Sequence, residues 1–412
     1  MTNISTELKE RDIVHQVAGG KLEDILETKR TFYFGIDPSA DSLHLGNLAG
    51  LMLARRLVRA GHKAIILIGG ATGQIGDPSG KQAERVLQDK KDIARNAKAQ
   101  GKQVQNLLGT KDFKLVNNAD WLEKVSLLDF LRDTGKHFTV NALIKRDLIR
   151  DRLKTEENSI SYTEFTYALL QAYDFYHLNT TKGCDLQISG SDQWGNIVAG
   201  IDLIRKKNST EAYGITIPLI TDETGKKFGK TEGNAVWLDK EKTSPFAFYQ
   251  FWVNQSDAQL EMLMKIFTDI PVEEIKNLLS NESLKTREGQ KRLAFEVTEL
   301  VHGTREAEAA AEASEVLFSG NMKGLSAKIR SLLLRHAPNT ATALETSLVD
   351  VLVSTGLAQS KREARDFINN GSVRINNQKV EDAETKLTPE HFIDDLALLK
   401  KGKRDVHVLV LK

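Results

Sequence analysis

Residues 31–61, TFYFGIDPSADSLHLGNLAGLMLARRLVRAG, decide the fold of this chain. Apolar side chains alternate with other residues over 31–37, which is the period of a β-strand, and Pro38 stops the strand. Apolar residues then recur at helical spacing as far as Gly61, where the helix ends. A helix that begins where a strand ends points free backbone N–H groups above the sheet edge. That arrangement suits an anion such as phosphate.

Three polar or small residues fall in the first turns of this predicted helix. Gly46 removes a side chain, so that a ligand can approach the backbone. His44 and Asn47 are three residues apart and share one helix face, and both can donate hydrogen bonds to negative oxygens. The same pattern also fits an ordinary helix with a polar cap.

A second unusual stretch is the glycine-rich segment 69–80, which follows the continuously apolar strand 64–68. Its glycines indicate close backbone approach or positive φ angles. Their spacing matches neither the P-loop nor the GxGxxG pattern, so no separate nucleotide-binding fold is implied. An ordinary strand-to-helix turn is the alternative interpretation.

Residues 162–178, YTEFTYALLQAYDFYHL, read as a helix with a polar stripe. Tyr167, Gln171 and Asp174 are four and three residues apart and therefore lie on one face. A polar stripe usually faces water. Here the apolar flanking residues leave little room for a wet face, which favours a pocket.

Two short motifs carry a resemblance to a known family. Residues 38–47, PSADSLHLGN, resemble the first signature of class I aminoacyl-tRNA synthetases, usually written His-Ile-Gly-His. Residues 227–231, KFGKT, resemble the second, usually Lys-Met-Ser-Lys-Ser, in a form typical of tyrosyl-tRNA synthetases. Nearly the whole chain resembles a bacterial-type tyrosyl-tRNA synthetase. One departure is Asn47, which stands where the signature has its second histidine and never carries positive charge.

The resemblance implies that the chain activates L-tyrosine with ATP and transfers it to the 3′-terminal adenosine of tRNA(Tyr). The implied catalytic residues are His44, Asn47, Lys227, Lys230 and Thr231. The implied tyrosine-binding residues are Tyr33, Asp77, Tyr167, Gln171, Asp174 and Gln193. The implied ATP-binding residues are Gly35, Asp37, His44, Gly46, Asn47, Gly190, Asp192 and Lys230.

Within that set the resemblance gives finer roles. Asp174 and Tyr33 would bind the substrate phenol hydroxyl, and Asp77, Tyr167 and Gln171 the amino group. Asn118 would support the pocket. Lys81 and Arg85 resemble a mobile element that closes on ATP phosphates. ATP would enter as a substrate with Mg²⁺, without an all-protein metal site and without a tightly bound cofactor.

The predicted fold class is α/β, with a Rossmann-type parallel-sheet catalytic domain, an α-helical domain and a small α+β RNA-binding module. The catalytic domain would span 1–225, and by the resemblance a stretch near 120–160 would be an insertion through which two subunits pair, although its apolar residues could equally be internal core. The helical anticodon-binding domain would span 226–320, a linker 321–346 and the RNA-binding module 347–412. Residues 3–28 read as amphipathic helices. The basic face of the module would comprise Lys361, Arg362, Arg365, Arg374 and Lys379.

Composition limits the remaining possibilities. The 412 residues carry a net charge of +1, so tRNA contact must come from local basic patches. The single cysteine, Cys184, excludes an internal disulfide and fits the cytoplasm, and we expect it to be buried. No apolar run reaches membrane-spanning length, so no membrane contact is expected. The expected partners are tyrosine, ATP, tRNA(Tyr) and a second copy of the chain.

Three alternatives stay open. A tryptophanyl-tRNA synthetase shares the architecture, although Asp174 and Tyr33 suit a phenol. An RNA-binding relative that has lost catalysis would not need His44, Asp77, Asp192 and Lys230. A small nucleotidylyltransferase shares the first signature but would not need the C-terminal module.

Overall fold

The computed structural model describes residues 3–77, 89–110, 112–144, 149–150, 160–221, 223, 225, 228–231, 234–402 and 405–412. Internal contacts divide the chain into two compact units. The first comprises Met1–Asp239 and Ser256–Leu284, and the second Lys240–Gln255 and Lys285–Lys412. The domain boundaries expected from the sequence stay predictions.

Residues 1–239 contain ten of the described helices and eight strands. The helices are α1 (Ile4–Glu10), α2 (Leu22–Glu27), α3 (Leu45–Arg59), α4 (Thr72–Ile75), α5 (Lys90–Leu108), α6 (Ala119–Leu122), α7 (Leu127–Asp133), α8 (Val140–Ile144), α9 (Tyr162–Lys182) and α10 (Trp194–Asn208). The strands are β1 (Gln16–Ala18), β2 (Thr31–Ile36), β3 (Lys63–Ile68), β4 (Phe113–Asn117), β5 (Cys184–Gly190), β6 (Tyr213–Ile217), β7 (Lys230–Thr231) and β8 (Asn234–Ala235).

Residues 240–320 are helical. The helices are α11 (Pro245–Val253), α12 (Asp257–Phe267), α13 (Val272–Leu278), α14 (Asn281–Thr286), α15 (Glu288–His302) and α16 (Thr304–Ser319). Helices α12 and α13 belong to the first unit, whereas α11, α15 and α16 belong to the second.

A six-stranded sheet forms the centre of the first unit, in the order β1-β6-β5-β2-β3-β4. Neighbouring strands are parallel except β1 and β6. Phe34 lies opposite Ile66 on one side and Ile188 on the other. Parallel sheets are covered on both faces, which explains why β2 and β3 are apolar along most of their length and why Cys184 of β5 is buried, as expected. The predicted α/β fold class with a parallel sheet is confirmed.

The connection from β2 to α3 places the start of a long helix at the carboxyl edge of this sheet. Helix α3 ends at Arg59, and Gly61 has a φ of +92°, close to the predicted end. Gly50 lets α3 lie directly on β2, because a Cβ there would come within 2.4 Å of the Phe34 ring. The ends of β2, β5 and β6 and the N-terminus of α3 therefore meet in one place.

The N-terminal segment differs from the prediction of helices alone. Val17, counted among the apolar positions of a helix, lies in β1, where it pairs with Ile215 of β6. The segment is too short for helical periodicity to be distinguished from a strand between two helices. Strand β1 covers an edge of β6 that would otherwise leave its backbone groups unpaired.

The C-terminal part of the second unit is a small α+β fold. Its helices are α17 (Ala327–His336), α18 (Leu348–Ser354) and α19 (Lys361–Asn369). Its strands are β9 (Asn339–Thr342), β10 (Val373–Ile375), β11 (Gln378–Lys379), β12 (Leu396–Lys401) and β13 (Asp405–Leu411). They form one sheet in the order β11-β10-β12-β13-β9, with β10 and β11 as the predicted hairpin.

The segment expected as a linker, 321–346, contributes to this fold. Strand β9 pairs with β13 in parallel, with Thr340 opposite Leu409. Ile329 and Leu333 of α17 are fully buried and share an apolar cluster with Leu396 and Leu398 of β12 and Leu317 of α16. A segment that supplies a strand and two core residues is a part of the folded unit.

Candidate active site

A cavity of about 350 Å³ lies in the first unit at the carboxyl ends of β2, β5 and β6, beside α3 and α9. Most of the residues selected from the sequence line it. They are Tyr33, Gly35, Asp37, His44, Gly46, Asn47, Asp77, Tyr167, Gln171, Asp174, Gly190, Asp192 and Gln193. Residues far apart in sequence meet here because parallel strands bring their carboxyl ends to the same edge of the sheet.

The second signature motif is described in part. Lys227 lies outside the described residues, as do Lys81 and Arg85. The backbone of Lys230 and Thr231 forms β7, and their side chains also lie outside the described part. Phe228 and Gly229 of the same motif line the cavity, so the motif reaches its wall.

Asp174 is the most deeply buried of the carboxyl groups that line the cavity. It is 2% exposed, and its two oxygens accept hydrogen bonds from Trp121 Nε1 at 2.7 Å and from Asn118 Nδ2 at 2.9 Å. Burial raises the pKa of Asp174 to about 7, although these two donors oppose the shift. The carboxylate is therefore held in a fixed orientation in a site where its charge is costly.

Tyr33 presents a hydroxyl to the same cavity. Its side chain is 1% exposed, and its oxygen has no hydrogen-bond partner among the described residues. Burial raises the pKa of Tyr33, and the nearby Asp174 raises it further, so the hydroxyl stays neutral. A buried, unpaired hydroxyl that lines a cavity is ready to bind a polar atom of a ligand.

The polar stripe of α9 is cross-linked to the sheet edge. The Tyr167 hydroxyl donates to Asp37 at 2.8 Å, and the Gln193 amide donates to Asp77 at 2.6 Å. The Asn196 amide donates to the side-chain oxygens of Gln171 and Gln193, at 3.0 Å each. Two carboxylates and three amides thus contribute to one polar wall of the cavity.

His44 and Asn47 cap α3. The Gly46 backbone N–H donates to His44 Nδ1 at 3.1 Å, and the His44 backbone N–H donates to Asn47 Oδ1 at 3.1 Å. This is a reciprocal capping arrangement. Because Nδ1 accepts, a neutral His44 ring carries its proton on Nε2, so that nitrogen is a donor.

Sequence reasoning did not select Trp121, Thr72 or Asn196. Trp121 holds Asp174, Thr72 donates to Asp37 at 2.8 Å, and Asn196 joins the two glutamines. Trp121 stands three residues after Asn118, and Asn196 three after Gln193, so each lies one helical turn beyond a selected residue. That proximity was the available signal, but Trp121 is 53 residues from Asp174 and Asn196 is 25 residues from Gln171.

The five residues predicted to contact tRNA occupy α19 and the β10–β11 hairpin of the second unit. Lys361 forms an ion pair with Asp350 at 2.6 Å, and Lys379 one with Glu381 at 2.6 Å. Arg362 and Arg365 are exposed on α19 and form no ion pair with a described residue. Arg374 donates to the Asn377 carbonyl at 3.5 Å.

Two further findings concern membranes and metals. Among the described helices, none is both long and apolar enough to cross a membrane. The described residues also include no cluster of three or more histidine, cysteine, aspartate or glutamate side chains that could hold a metal ion.

Comparison with protein families gives two matches. Residues 26–319 match the family of tRNA synthetases class I (W and Y). Residues 329–409 match the C-terminal domain of tyrosine–tRNA ligases. The second match begins within α17, upstream of the predicted module boundary.

Solved structures give the same assignment. A C-terminally truncated mitochondrial tyrosyl-tRNA synthetase from Aspergillus nidulans is 30% identical, with a TM-score of 0.69 over 77% of this chain and 95% of that one. The corresponding enzyme from Coccidioides posadasii is 31% identical, with a TM-score of 0.66 over 76% of this chain and 92% of that one. A tyrosyl-tRNA synthetase from Archaeoglobus fulgidus, at 16% identity and a TM-score of 0.56 over 75% of this chain and 99% of that one, shares the fold.

These matches separate tyrosine from tryptophan as the amino acid. The model for residues 26–319 is common to both kinds of enzyme, whereas the C-terminal domain and the structures at 30% and 31% identity belong to tyrosine enzymes. The predicted family and function are thus confirmed. The chain belongs to the class I tyrosyl-tRNA synthetases, which are tyrosine–tRNA ligases.

Proposed function

We propose that the cavity binds L-tyrosine and ATP together and joins them as tyrosyl-adenylate, before tyrosine passes to the 3′-terminal adenosine of tRNA(Tyr). The observation that carries this proposal is that Asp174 and Tyr33 line the same cavity. One is a buried carboxylate in a fixed orientation, and the other is a buried hydroxyl without a partner among the described residues.

Asp174 and Tyr33 select the phenol. The substrate hydroxyl donates to the Asp174 carboxylate and accepts from the neutral Tyr33 hydroxyl. Phenylalanine would leave the Tyr33 hydroxyl without a partner and the Asp174 carboxylate without the substrate's hydrogen bond in a dry site. An unsatisfied neutral group costs roughly 1–3 kcal/mol, and a hydrogen bond to a charged group is worth more than one between neutral groups. A site built to hydrogen-bond a substrate hydroxyl rejects the analogue that lacks it by about 10⁴–10⁵, and tyrosyl-tRNA synthetases are themselves the enzymes for which that range is known.

The polar wall holds the other end of the amino acid. Asp77, Tyr167 and Gln171 accept hydrogen bonds from the ammonium group, and Gln193 lies beside the carboxylate. The Asn196 amide donates to both Gln171 and Gln193 and so fixes the positions of these two side chains relative to each other. This wall fixes the substrate carboxylate toward the N-terminus of α3, where ATP binds.

The N-terminus of α3 receives the phosphates. Gly46 leaves its backbone open to them, and His44 and Asn47 flank that opening. Gly35 and Asp37 on one side, and Gly190 and Asp192 on the other, bind the rest of ATP. An acidic side chain at the end of a parallel strand suits a ribose hydroxyl.

The chemistry consists of positioning and charge stabilisation. A tyrosine carboxylate oxygen attacks the α-phosphorus, a new O–P bond forms, and the bond to the bridging oxygen breaks to release pyrophosphate. His44 stabilises the charge that develops on the phosphates, and we assign the same role to Lys227, Lys230 and Thr231 by their place in the second signature. Magnesium arrives with ATP, coordinated mainly by phosphate oxygens and water.

We propose that the chain acts as a homodimer. Six large apolar side chains around the predicted insertion are exposed. They are Leu127, Leu128, Leu131, Val140, Ile144 and Tyr162. So many large apolar side chains exposed within a short stretch of sequence favour an interface. Replacing Leu128, which is 77% exposed, by Asp should give monomers in sedimentation, whereas Leu344→Asp in the second unit should not.

We also propose a cytoplasmic location. The one cysteine is buried and the fold uses no disulfide, which suits a reducing compartment. The two relatives at 30% and 31% identity are mitochondrial enzymes, so fractionation of cells that express the chain is the deciding measurement.

The function is tested by pyrophosphate–ATP exchange with each of the twenty amino acids. We expect exchange with tyrosine alone. Asp174→Ala should sharply lower that exchange and narrow the preference for tyrosine over phenylalanine, whereas Asp202→Ala, at an exposed ion pair on α10, should do neither. Exchange driven by a different amino acid, or an unchanged preference in a folded Asp174→Ala protein, would contradict the assignment.

A further inference from the structure

One indole ring is held from two directions by the same helix. Trp121 donates its Nε1 proton to Asp174, at 2.7 Å. Its face is covered by the His177 imidazole, with ring centroids 4.4 Å apart and planes inclined by 14°. Asp174 and His177 are three residues apart on α9, so one face of that helix contacts both the edge and the face of the indole.

The indole needs such a support. Trp121 lies in α6, a helix of four residues, which by itself fixes a side chain weakly. A rotation of the indole about its Cβ–Cγ bond would move Nε1 away from Asp174. A parallel ring stacked on its face blocks that rotation, since the two planes can turn only together.

His177 has a second aromatic neighbour. The Tyr173 ring centroid lies 6.5 Å from that of His177, with planes inclined by 28°, and the Phe130 ring of α7 lies 5.8 Å from Tyr173. His177 therefore belongs to a cluster of aromatic rings. Burial and, to a smaller extent, Lys182 lower the pKa of His177, which keeps the imidazole neutral at neutral pH.

We propose that His177 is a positioning residue for tyrosine selection, because its stacked ring fixes the Trp121 indole and through it the orientation of the Asp174 carboxylate. This inference rests on the proposed role of Asp174. His177 touches neither substrate, and it lies outside the set of residues that line the cavity.

The test compares three variants with the wild type by pyrophosphate exchange, with kcat and KM measured for tyrosine, phenylalanine and ATP. His177→Ala removes the ring, and His177→Phe keeps a flat ring. His137→Ala is the matched control, because His137 is also half-buried in the first unit with a lowered pKa. It has no described ring contact with Trp121.

We expect His177→Ala to lower the tyrosine-to-phenylalanine ratio of kcat/KM by about tenfold, the effect of weakening one hydrogen bond to a charged group. The change should lie in KM for tyrosine, with KM for ATP unchanged. His177→Phe should restore the ratio, and His137→Ala should leave it unaltered.

An unchanged ratio in His177→Ala would overturn the proposal, and so would an equal loss in His177→Phe and His177→Ala. If His177→Ala does not fold, His177→Leu replaces it, since leucine fills space without a flat face, and the same outcomes apply. Asp174→Ala in the same assay distinguishes a failure of the proposed phenol site from a failure of the proposed role of His177. If that variant keeps the ratio, the phenol site itself fails and the role of His177 fails with it. If Asp174→Ala lowers the ratio and His177→Ala does not, the phenol site is retained and the role of His177 is rejected.

Discussion

Arg11 and Arg56 both donate hydrogen bonds to the carbonyl oxygen of Thr268, at 3.2 and 2.6 Å. Arg11 directly follows α1, Arg56 lies in α3, and Thr268 follows the last turn of α12. Both arginines also donate to the Lys265 carbonyl, and Glu7 forms ion pairs with both. Two buried guanidinium groups thus satisfy the terminal carbonyls of α12 and join it to the far end of the helix whose N-terminus lines the cavity.

This arginine pair predicts a large loss of stability in Arg56→Met. Arg56 is 3% exposed, and its loss removes the donor to the Ile266 carbonyl and one of the two arginine donors to the Thr268 carbonyl. It also leaves Glu7 with Arg11 alone as its ion-pair partner. Breaking a buried charge network of this kind costs about 3–5 kcal/mol. The measurement is the urea dependence of unfolding, followed by circular dichroism.

Arg59→Met is the control, because Arg59 lies on the same helix but is 58% exposed in its ion pair with Asp269. Exposed pairs contribute about 0–1 kcal/mol. Equal urea midpoints of unfolding for Arg56→Met and Arg59→Met would show that the buried hydrogen bonds of Arg56 contribute little to stability.

The sequence is informative where a pattern is local. The strand–turn–helix unit around His44 and Gly46, the polar stripe of α9 and the β10–β11 hairpin all lie within short windows, and the structure contains each of them. Patterns that need a distant partner were missed. Strand β1 exists because β6 has a free edge, and β9 is a strand because β13 pairs with it.

The same distinction applies inside the site. Most of the residues proposed to bind substrates could be selected from the two signatures, the polar stripe and the resemblance, and the structure brings them to one cavity. The contacts that hold them follow less readily from the sequence. The resemblance pointed to Asn118, but Trp121 reaches Asp174 across 53 positions of sequence and Tyr167 reaches Asp37 across 130. Such contacts arise from the order of the strands in the sheet, which local spacing does not encode.

Asn47 has two separable roles, and substitutions should distinguish them. Its side chain accepts from the His44 backbone, so Asn47→Leu should lose about 1 kcal/mol of stability. Asn47→Asp keeps an acceptor and should fold as well as the wild type. Its negative charge beside the phosphates should nevertheless slow pyrophosphate exchange. Asn47→His keeps an acceptor at Nδ1 and restores the usual signature, so we expect an exchange rate at least equal to that of the wild type.

Thermal unfolding and exchange kinetics on the three variants check this. A slow, unstable Asn47→His protein would show that the local fit of asparagine matters more than its hydrogen bond. A fast Asn47→Asp protein would remove Asn47 from the phosphate site.

The raised pKa of Asp174 predicts a pH dependence of tyrosine binding. In the proposed site the substrate phenol donates to the ionised carboxylate, so binding would require loss of the Asp174 proton. Its pKa without ligand is about 7, and affinity should therefore rise about tenfold per pH unit below 7 and level off above it. Calorimetric titration with tyrosine from about pH 5.5 to about pH 8.5 measures this.

The same shift acts on stability with a defined sign. Because the folded pKa exceeds that of the unfolded chain, the folded protein keeps a proton that the unfolded chain releases near pH 4. Stability without ligand therefore falls as pH rises from about 4 to about 7. Asp174→Asn should remove this contribution to the pH dependence of the unfolding free energy, and the variant should bind tyrosine weakly at every pH. A wild-type affinity that does not vary with pH would place the phenol elsewhere.

The position of a C-terminal truncation should decide whether the remainder folds. Truncation after Thr346 leaves β9 without β13 and exposes Ile329 and Leu333, so we expect aggregation.

Truncation after Gly320 removes α17 and β9 as well. It should keep tyrosine-dependent pyrophosphate exchange, because the cavity lies in the first unit, and lose tRNA charging. Size-exclusion chromatography and the two assays test this. A well-folded 1–346 protein would contradict the shared core.

The five basic residues of the C-terminal fold should not contribute equally to tRNA binding. Lys361 and Lys379 already pair with Asp350 and Glu381, so contact with a phosphate would first require those pairs to break. Arg362 and Arg365 are exposed one turn apart on α19, without an ion pair to any described residue. Replacing both arginines by alanine should therefore weaken tRNA binding more than replacing both lysines.

Salt dependence makes the test quantitative. Each lost phosphate contact lowers the slope of log K against log salt by roughly 0.7–0.9, so the double arginine variant should lose between one and two units of slope. The double lysine variant should lose much less, and both should keep full pyrophosphate exchange, since the cavity lies in the other unit. Filter binding from about 50 to about 200 mM salt gives the slopes. Equal slopes for the two variants would mean that the ion pairs at Lys361 and Lys379 open readily in the complex, and that the whole basic face contacts the RNA.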